Sequence, residues 1–156
     1  SSSGVARRVG RGVAPLRQSA GVIARILSVM ISTMSTAPVV TPLTDAEYHR
    51  LSSALLAAVE AAADRWLQDE GVDVDTQRTG GLLELVFPGG RRIVVNTQPP
   101  LHEIWLAARQ GWHFRHVDGA WVERGGEEFF ALLSRCASEY AGQALVATPP
   151  AGGLSV

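Results

Sequence analysis

The sequence predicts an α+β two-layer sandwich, with two terminal helices packed on one face of an antiparallel sheet of five or six strands. Three observations point there. Residues 44–67 are rich in Ala and Leu and repeat their apolar positions at helical spacing. Residues 72–124 are short alternating runs separated by Gly, Pro and Asp-Gly turns. A second helical stretch follows at residues 127–140. Helices segregated from hairpin-linked strands mark this class, whereas regular strand–helix alternation would mark a parallel sheet.

Each element has its own signal. Thr44-Asp45-Ala46-Glu47 is a capping box: Thr44 can accept from the Glu47 amide while the Glu47 carboxylate reaches back to the Thr44 amide. The apolar stripe behind it is Tyr48, Leu51, Leu55, Ala58 or Val59, Ala62 and Trp66. The strand candidates are residues 72–77, 82–87 after Gly80-Gly81, 91–98 after Pro88-Gly89-Gly90, 103–108, 112–117 and 120–124. Asp118-Gly119 is a strong hairpin signal between the last two. The closing helix places Phe129, Leu132, Leu133, Cys136 and Tyr140 on one face, and Gly142 is its expected stop.

The chain has 156 residues and a formal net charge of −1, which hides an asymmetry. Residues 1–43 hold five arginines and no acid, whereas residues 44–156 hold nine arginines against fifteen acids, eight of them between positions 45 and 75. The domain reading is accordingly a basic, disordered leader or mis-assigned start at 1–43, a folded domain at 44–146 and a flexible tail at 147–156. Translation from Met30 or Met34 is one expectation for the leader. A presequence is the other, because an Arg- and Ser-rich, acid-free segment has the composition of a transit peptide. Its longest apolar stretch, residues 22–31, is broken by Arg25 and Ser28 and is about half the roughly 20 residues a bilayer span needs, so no membrane helix is expected.

Composition removes several chemistries. The single cysteine, Cys136, cannot close an internal disulfide, build a Cys-based zinc site or hold an iron–sulfur cluster by itself. There is no lysine, hence neither a phosphate-loop lysine nor a Schiff base. The sequence has no G-x-S-x-G elbow, H-E-x-x-H helix or C-x-x-C pair. An acidic domain is a poor nucleic-acid binder, since phosphate backbones demand a basic face.

Two surfaces remain as candidates. At 100° per residue with Tyr48 as zero, Asp45 falls at about 60°, His49 at 100°, Glu60 at 120° and Asp64 at 160°, all on one flank of the first helix. Asp69, Glu70, Asp73 and Asp75 extend the negative charge towards the first strand. Hard cations such as iron, manganese or calcium prefer oxygen ligands. Asp45 with His49, and Glu60 with Asp64, stand at i,i+4, but the pairs lie roughly 22 Å apart along the axis and cannot form one site. Weak, open, multi-point binding is expected. Read from its residues alone, the same flank is first of all an ordinary solvated helix face; a docking surface for a basic partner is a third reading.

The second surface is the sheet. Alternation puts Ile93, Val95, Ile104 and Leu106 towards the helices and Asn96, Gln98, Glu103 and Trp105 on the opposite face. A large indole among amides is either an interface anchor or is covered by the Pro99-Pro100 turn or by another chain segment. His113 and His116, three apart on a strand, point to opposite faces and are read as non-metal. Cys136 is read as a small core residue.

The stretch NTQPPLHEIWLA, residues 96–107, resembles the signature of the frataxin family: N-x-Q-x-P, then a Trp at this offset on the adjacent strand. TDAEYHRL at 44–51, the D-x-D-x-x-x-x-G-x-L region within 72–87 and HFRHVDGAWVERGGEEFFALL at 113–133 are similar to the family's bacterial branch. The resemblance covers residues 44–146. It implies a helix–sheet–helix sandwich and a non-enzymatic role in iron–sulfur cluster assembly. Iron, as Fe2+ or Fe3+, would bind weakly at an acidic ridge to which Asp45, His49, Glu60, Asp64, Asp69, Asp73 and Asp75 correspond. Asn96, Gln98 and Trp105 match the family's sheet-surface residues, which dock on the cysteine desulfurase and the scaffold protein. A monomer with an iron-dependent oligomer is implied, in the bacterial cytoplasm, or in the mitochondrial matrix if the leader is a transit peptide. Ala61, Arg65 and Leu67 stand where bacterial relatives often carry acids, which shifts weight from multiple iron binding to partner docking. An iron-oxidising or iron-storing protein and a metal-independent interaction domain are the alternatives.

Overall fold

The computed structural model describes residues 42–150; the leader, apart from its last two residues, and positions 151–156 fall outside the described residues. Two helices, α1 (Asp45–Glu70) and α2 (Phe129–Ala141), flank six strands: β1 (Asp75–Thr79), β2 (Leu82–Val86), β3 (Arg92–Gln98), β4 (Glu103–Ala107), β5 (Gly111–Val117) and β6 (Ala120–Glu123). The strands form one antiparallel meander in sequence order. Both helices cover one face of it. Leu83, Leu85, Ile93, Val95, Ile104, Leu106, Phe114 and Trp121 from the sheet are buried against Leu51, Leu55, Val59, Trp66, Phe129, Phe130 and Leu133 from the helices. The α+β sandwich expected from the sequence is the observed architecture, with six strands.

The predicted caps form. Thr44 Oγ1 accepts from the Glu47 amide at 3.1 Å, and Glu47 Oε1 accepts from the Thr44 amide at 3.0 Å. These bonds hold the Glu47 carboxyl below its ordinary value. α1 runs to Glu70, past the predicted end near Leu67, because nothing in Gln68-Asp69-Glu70 breaks a helix. Gly71 does so at φ 68°, its amide donating to the Leu67 carbonyl. α2 starts two residues later than expected, at Phe129, with Glu128 as its N-cap accepting from the Phe130 and Ala131 amides, and Gly142 at φ 70° stops it.

β1 begins at Asp75, not Val72. Its register is fixed by the two-residue Gly80-Gly81 turn that pairs Thr79 with Leu82. Val72 and Val74 are buried in the approach instead. A Cβ at Gly81 would collide with Thr97 Oγ1, which donates to the Gly81 carbonyl, so a larger residue there would displace that hydroxyl. After Gly142 the chain returns across both helices. The Leu145 and Ala147 amides donate to Ser138 and Ser134 Oγ at 2.8 Å, and Trp66 Nε1 donates to the Val146 carbonyl at 3.0 Å. Ala147, which the sequence groups with the tail, is buried.

Tyr48 is fully buried, and its hydroxyl donates to the Glu103 carbonyl at 2.6 Å while accepting from the Gln98 amide at 2.9 Å. Burial pushes its pKa up to about 12, so the proton stays in place. His116 on β5 is buried with neither ring nitrogen hydrogen-bonded, edge-on to Trp121 at 5.2 Å, whose indole N–H is also unpartnered among the described residues.

Two predictions follow from these buried polar groups. Tyr48→Phe leaves Gln98 N–H and Glu103 C=O unpaired and is expected to cost about 1–3 kcal/mol in urea unfolding; an unchanged midpoint would contradict the bridge. Burial, opposed in part by the Glu47 charge, holds the His116 imidazole below its ordinary value of 6.5. The unfolded chain therefore takes up a proton that the folded one refuses. The stability linked to this group is complete above the unfolded pKa and drains as pH falls through it towards the folded value. His116→Leu is expected to flatten the loss of melting temperature between pH 7 and 5; an equally steep loss in the variant would show that another group governs it.

Candidate functional site

The acidic residues nominated from the sequence occupy three distinct settings. Asp45, in the first turn of α1, is exposed, and its Oδ1 lies 2.8 Å from His102 Nε2. His102 sits at the corner between β3 and β4, in a left-handed conformation at φ 52°, stacked on the Tyr48 ring at 5.0 Å. His49 is exposed, its ring edge-on to Tyr48 at 5.8 Å. Glu60 is held by Arg78 of β1 at 2.9 Å. Asp64, Asp69, Asp73 and Asp75 are exposed, and their carboxylates have neither a hydrogen bond nor an ion pair among the described residues. They run from the last turns of α1 through the connection into the start of β1.

A flexible, half-exposed ion pair such as Glu60–Arg78 contributes at most about 1 kcal/mol, yet it places a cation where a metal would compete. Among the described residues no three His, Cys, Asp or Glu side chains converge closely enough to enclose an ion. The donors of this region are hard carboxylate oxygens open to water, a set that suits weak association with a hard cation. The helix also shows why the pairs stay apart: Asp45 and His49 lie at its first turn, Asp64 and Asp69 near its last.

The sheet's outer face is assembled by alternation and register. Asn96 pairs with Trp105, and Trp105 with His113, so the three stand side by side across β3, β4 and β5; Gln98 pairs with Glu103 beside them. Trp105 is half-buried, and the Pro99–Leu101 turn is exposed. What covers one side of the indole is His113, parallel to it within 8° at 4.0 Å. The indole N–H donates to Glu103 Oε1 at 2.9 Å, and Glu103 Oε2 lies 3.4 Å from Arg115 Nε. His113 and His116 do face opposite sides of the sheet, exposed and buried respectively. Residue-level reading missed His102, His113, Arg78 and Arg115 as neighbours of the site. His113 and Arg115 were within reach of a register argument through Gly111; His102 and Arg78 were not, because their partners lie in another layer.

Cys136 is buried in α2, and burial pushes its thiol above the ordinary value, which keeps it protonated and unreactive.

Comparison with known proteins places this geometry among relatives. A family model described as a frataxin-like domain matches residues 41–143. The chain is 49% identical over 105 residues to the iron–sulfur cluster assembly protein CyaY of Variovorax paradoxus, covering 66% of this chain and 96% of that protein. It is 44% identical over 109 residues to CyaY of Paraburkholderia phymatum, covering 69% of this chain and all of that protein. Among solved structures, frataxin from Psychromonas ingrahamii is similar with a TM-score of 0.60 and 30% identity, over 68% of this chain and 99% of that one. A ferrous complex of trimeric frataxin from the yeast Saccharomyces cerevisiae shares the fold, with a TM-score of 0.51 at 19% identity over 72% of this chain and 98% of that one.

The Glu60–Arg78 pair yields one prediction. Arg78→Gln is expected to leave unfolding free energy within about 1 kcal/mol of the parent. A larger loss, measured by urea denaturation, would make the pair a structural clamp and not an exposed contact.

Proposed function

The chain belongs to the frataxin family, in its CyaY branch, and from that membership we propose that it is a non-catalytic, iron-binding regulator of iron–sulfur cluster assembly in the bacterial cytoplasm. The observation that carries this reading is the run of uncompensated carboxylates, Asp64, Asp69, Asp73 and Asp75, exposed while nearby Glu60 is neutralised. A globular surface normally intersperses its charges. Four acids left without cations create a negative potential that attracts either a hard cation or a basic protein surface.

Iron is cargo here and not a resident cofactor. The open carboxylates would hold it weakly and exchange it readily, with Asp64, Asp69, Asp73 and Asp75 as principal donors. Asp45 with His49 forms a separate, weaker pair that must compete with His102, and Glu60 contributes once Arg78 is displaced. The partners are a cysteine desulfurase and its scaffold protein, the acidic run meeting a basic surface and Asn96, Gln98 and Trp105 meeting a second one. The protein is a monomer that iron can draw into oligomers, by bridging carboxylates of neighbouring copies. A metal-independent interaction domain is the second reading, favoured by the ion pairs at Glu60 and Asp45, which already occupy two of the nominated donors.

Ferrous iron titrated anaerobically against the parent and the Asp64→Asn, Asp69→Asn, Asp73→Asn, Asp75→Asn variant separates the two. At least about a tenfold weaker association is expected in the variant, the loss of several charge-assisted ligands; equal binding refutes the metal role. Capture of a cysteine desulfurase from bacterial extract is expected to fall with the same variant and with Trp105→Ala. Undiminished capture by both would remove the docking role.

A further inference from the structure

Nothing in the family resemblance speaks to what surrounds Trp105, and the surroundings are specific. Four side chains on the outer face of two neighbouring strands form one connected chain: His113 on β5, Trp105 and Glu103 on β4, and Arg115 on β5. The imidazole lies flat on the indole at 4.0 Å and 8°. The indole N–H is taken by one oxygen of Glu103 at 2.9 Å, and the other oxygen faces Arg115 Nε at 3.4 Å. The Glu103 side chain is only 13% exposed, whereas that of Arg115 is 57% exposed. The backbone beneath is fixed as well, because the Glu103 carbonyl and the Gln98 amide both bond to the Tyr48 hydroxyl.

We propose that His113, Glu103 and Arg115 are positioning residues that lock the Trp105 indole in one pose and use up its N–H before any partner arrives. This rests on the reading that the Trp105 face docks on the cluster-assembly machinery. Its chemical consequence is definite. An indole whose N–H is satisfied and whose one face is covered offers an apolar surface and no donor. Beside it stand the side-chain amides of Asn96 and Gln98, with the exposed Arg115 guanidinium beyond Glu103. The matching partner group is therefore an aliphatic or proline side chain set in a segment whose backbone pairs with those amides, and not a carboxylate seeking the indole N–H. Such a segment meets a side chain already immobilised, so the ordering cost that a free Trp would carry on docking has been met in advance.

The test uses the full-length protein and has two layers. In the free protein, the Trp105 indole N–H resonance is expected to show slow hydrogen exchange and a ring-current shift. His113→Ala is expected to collapse the shift and speed exchange, and His113→Phe, which keeps a flat ring, to retain the slow exchange. An indole N–H unaffected by His113→Ala overturns the lock. For docking on a purified desulfurase–scaffold complex, His113→Ala is expected to weaken binding by about three- to tenfold, the cost of ordering one large side chain. His113→Phe should bind within about twofold of the parent, and His113→Ala should add nothing in a Trp105→Ala background, the non-additivity of groups acting through one another. Additive losses would overturn the positioning role. Full binding by Trp105→Ala would instead overturn the docking reading, leaving the indole measurements to judge the lock alone.

Discussion

The Tyr48 hydroxyl ties the two layers of this molecule together. It is the point at which a helix side chain enters the hydrogen-bonding of the sheet, donating to one strand and accepting from the next where β3 and β4 diverge around the Pro99–Leu101 turn. A carbonyl and an amide at a strand end would otherwise lie buried and unpaired. Because the ring is the first core residue after the capping box, the same contact sets where α1 begins over the sheet. His102 then closes the corner. Its left-handed backbone is unfavourable for a residue with a Cβ, and the stack on Tyr48 together with the bond to Asp45 offsets that cost. Gln98, Glu103 and hence Trp105 inherit their positions from this junction.

The distribution of acids follows a second constraint, the reach of the side chain. Every glutamate of the chain is engaged: Glu47 and Glu128 cap helices, Glu60, Glu84, Glu127 and Glu139 pair with arginines, Glu103 holds an indole and an arginine, Glu123 accepts from the Glu127 amide and Glu70 from Gln143. The shorter aspartates at 64, 69, 73 and 75 have no such partner among the described residues. One methylene separates the two residue types; Asp45 nevertheless finds a partner in His102, so position over the sheet as well as side-chain reach decides whether a carboxylate is engaged. The uncompensated acidic surface is thus made of the acids that the fold leaves without a partner among the described residues.

Much of the fold was legible along the chain. The capping box, the Gly142 stop, the hairpin turns and the apolar stripes are local patterns, and each appears where it was expected. The departures are at edges. α1 overran to Gly71 and β1 started late, because a boundary depends on the next breaker or on the register of a turn and not on where the apolar period fades. Of the site, the positions of Asn96, Gln98 and Trp105 on one face followed from alternation. The acidic bias of the region followed from composition, but not which of its carboxylates stay unpaired.

By itself the sequence determined the sandwich, its order of elements, the acidic bias between positions 45 and 75 and the face on which Trp105 stands, since all of these depend on neighbours within a few residues. Tertiary structure alone decided which of the acids are free. Glu60 meets Arg78 and Asp45 meets His102 across separations of 18 and 57 residues, and no periodicity reports which side chains two packed layers will bring within 3 Å.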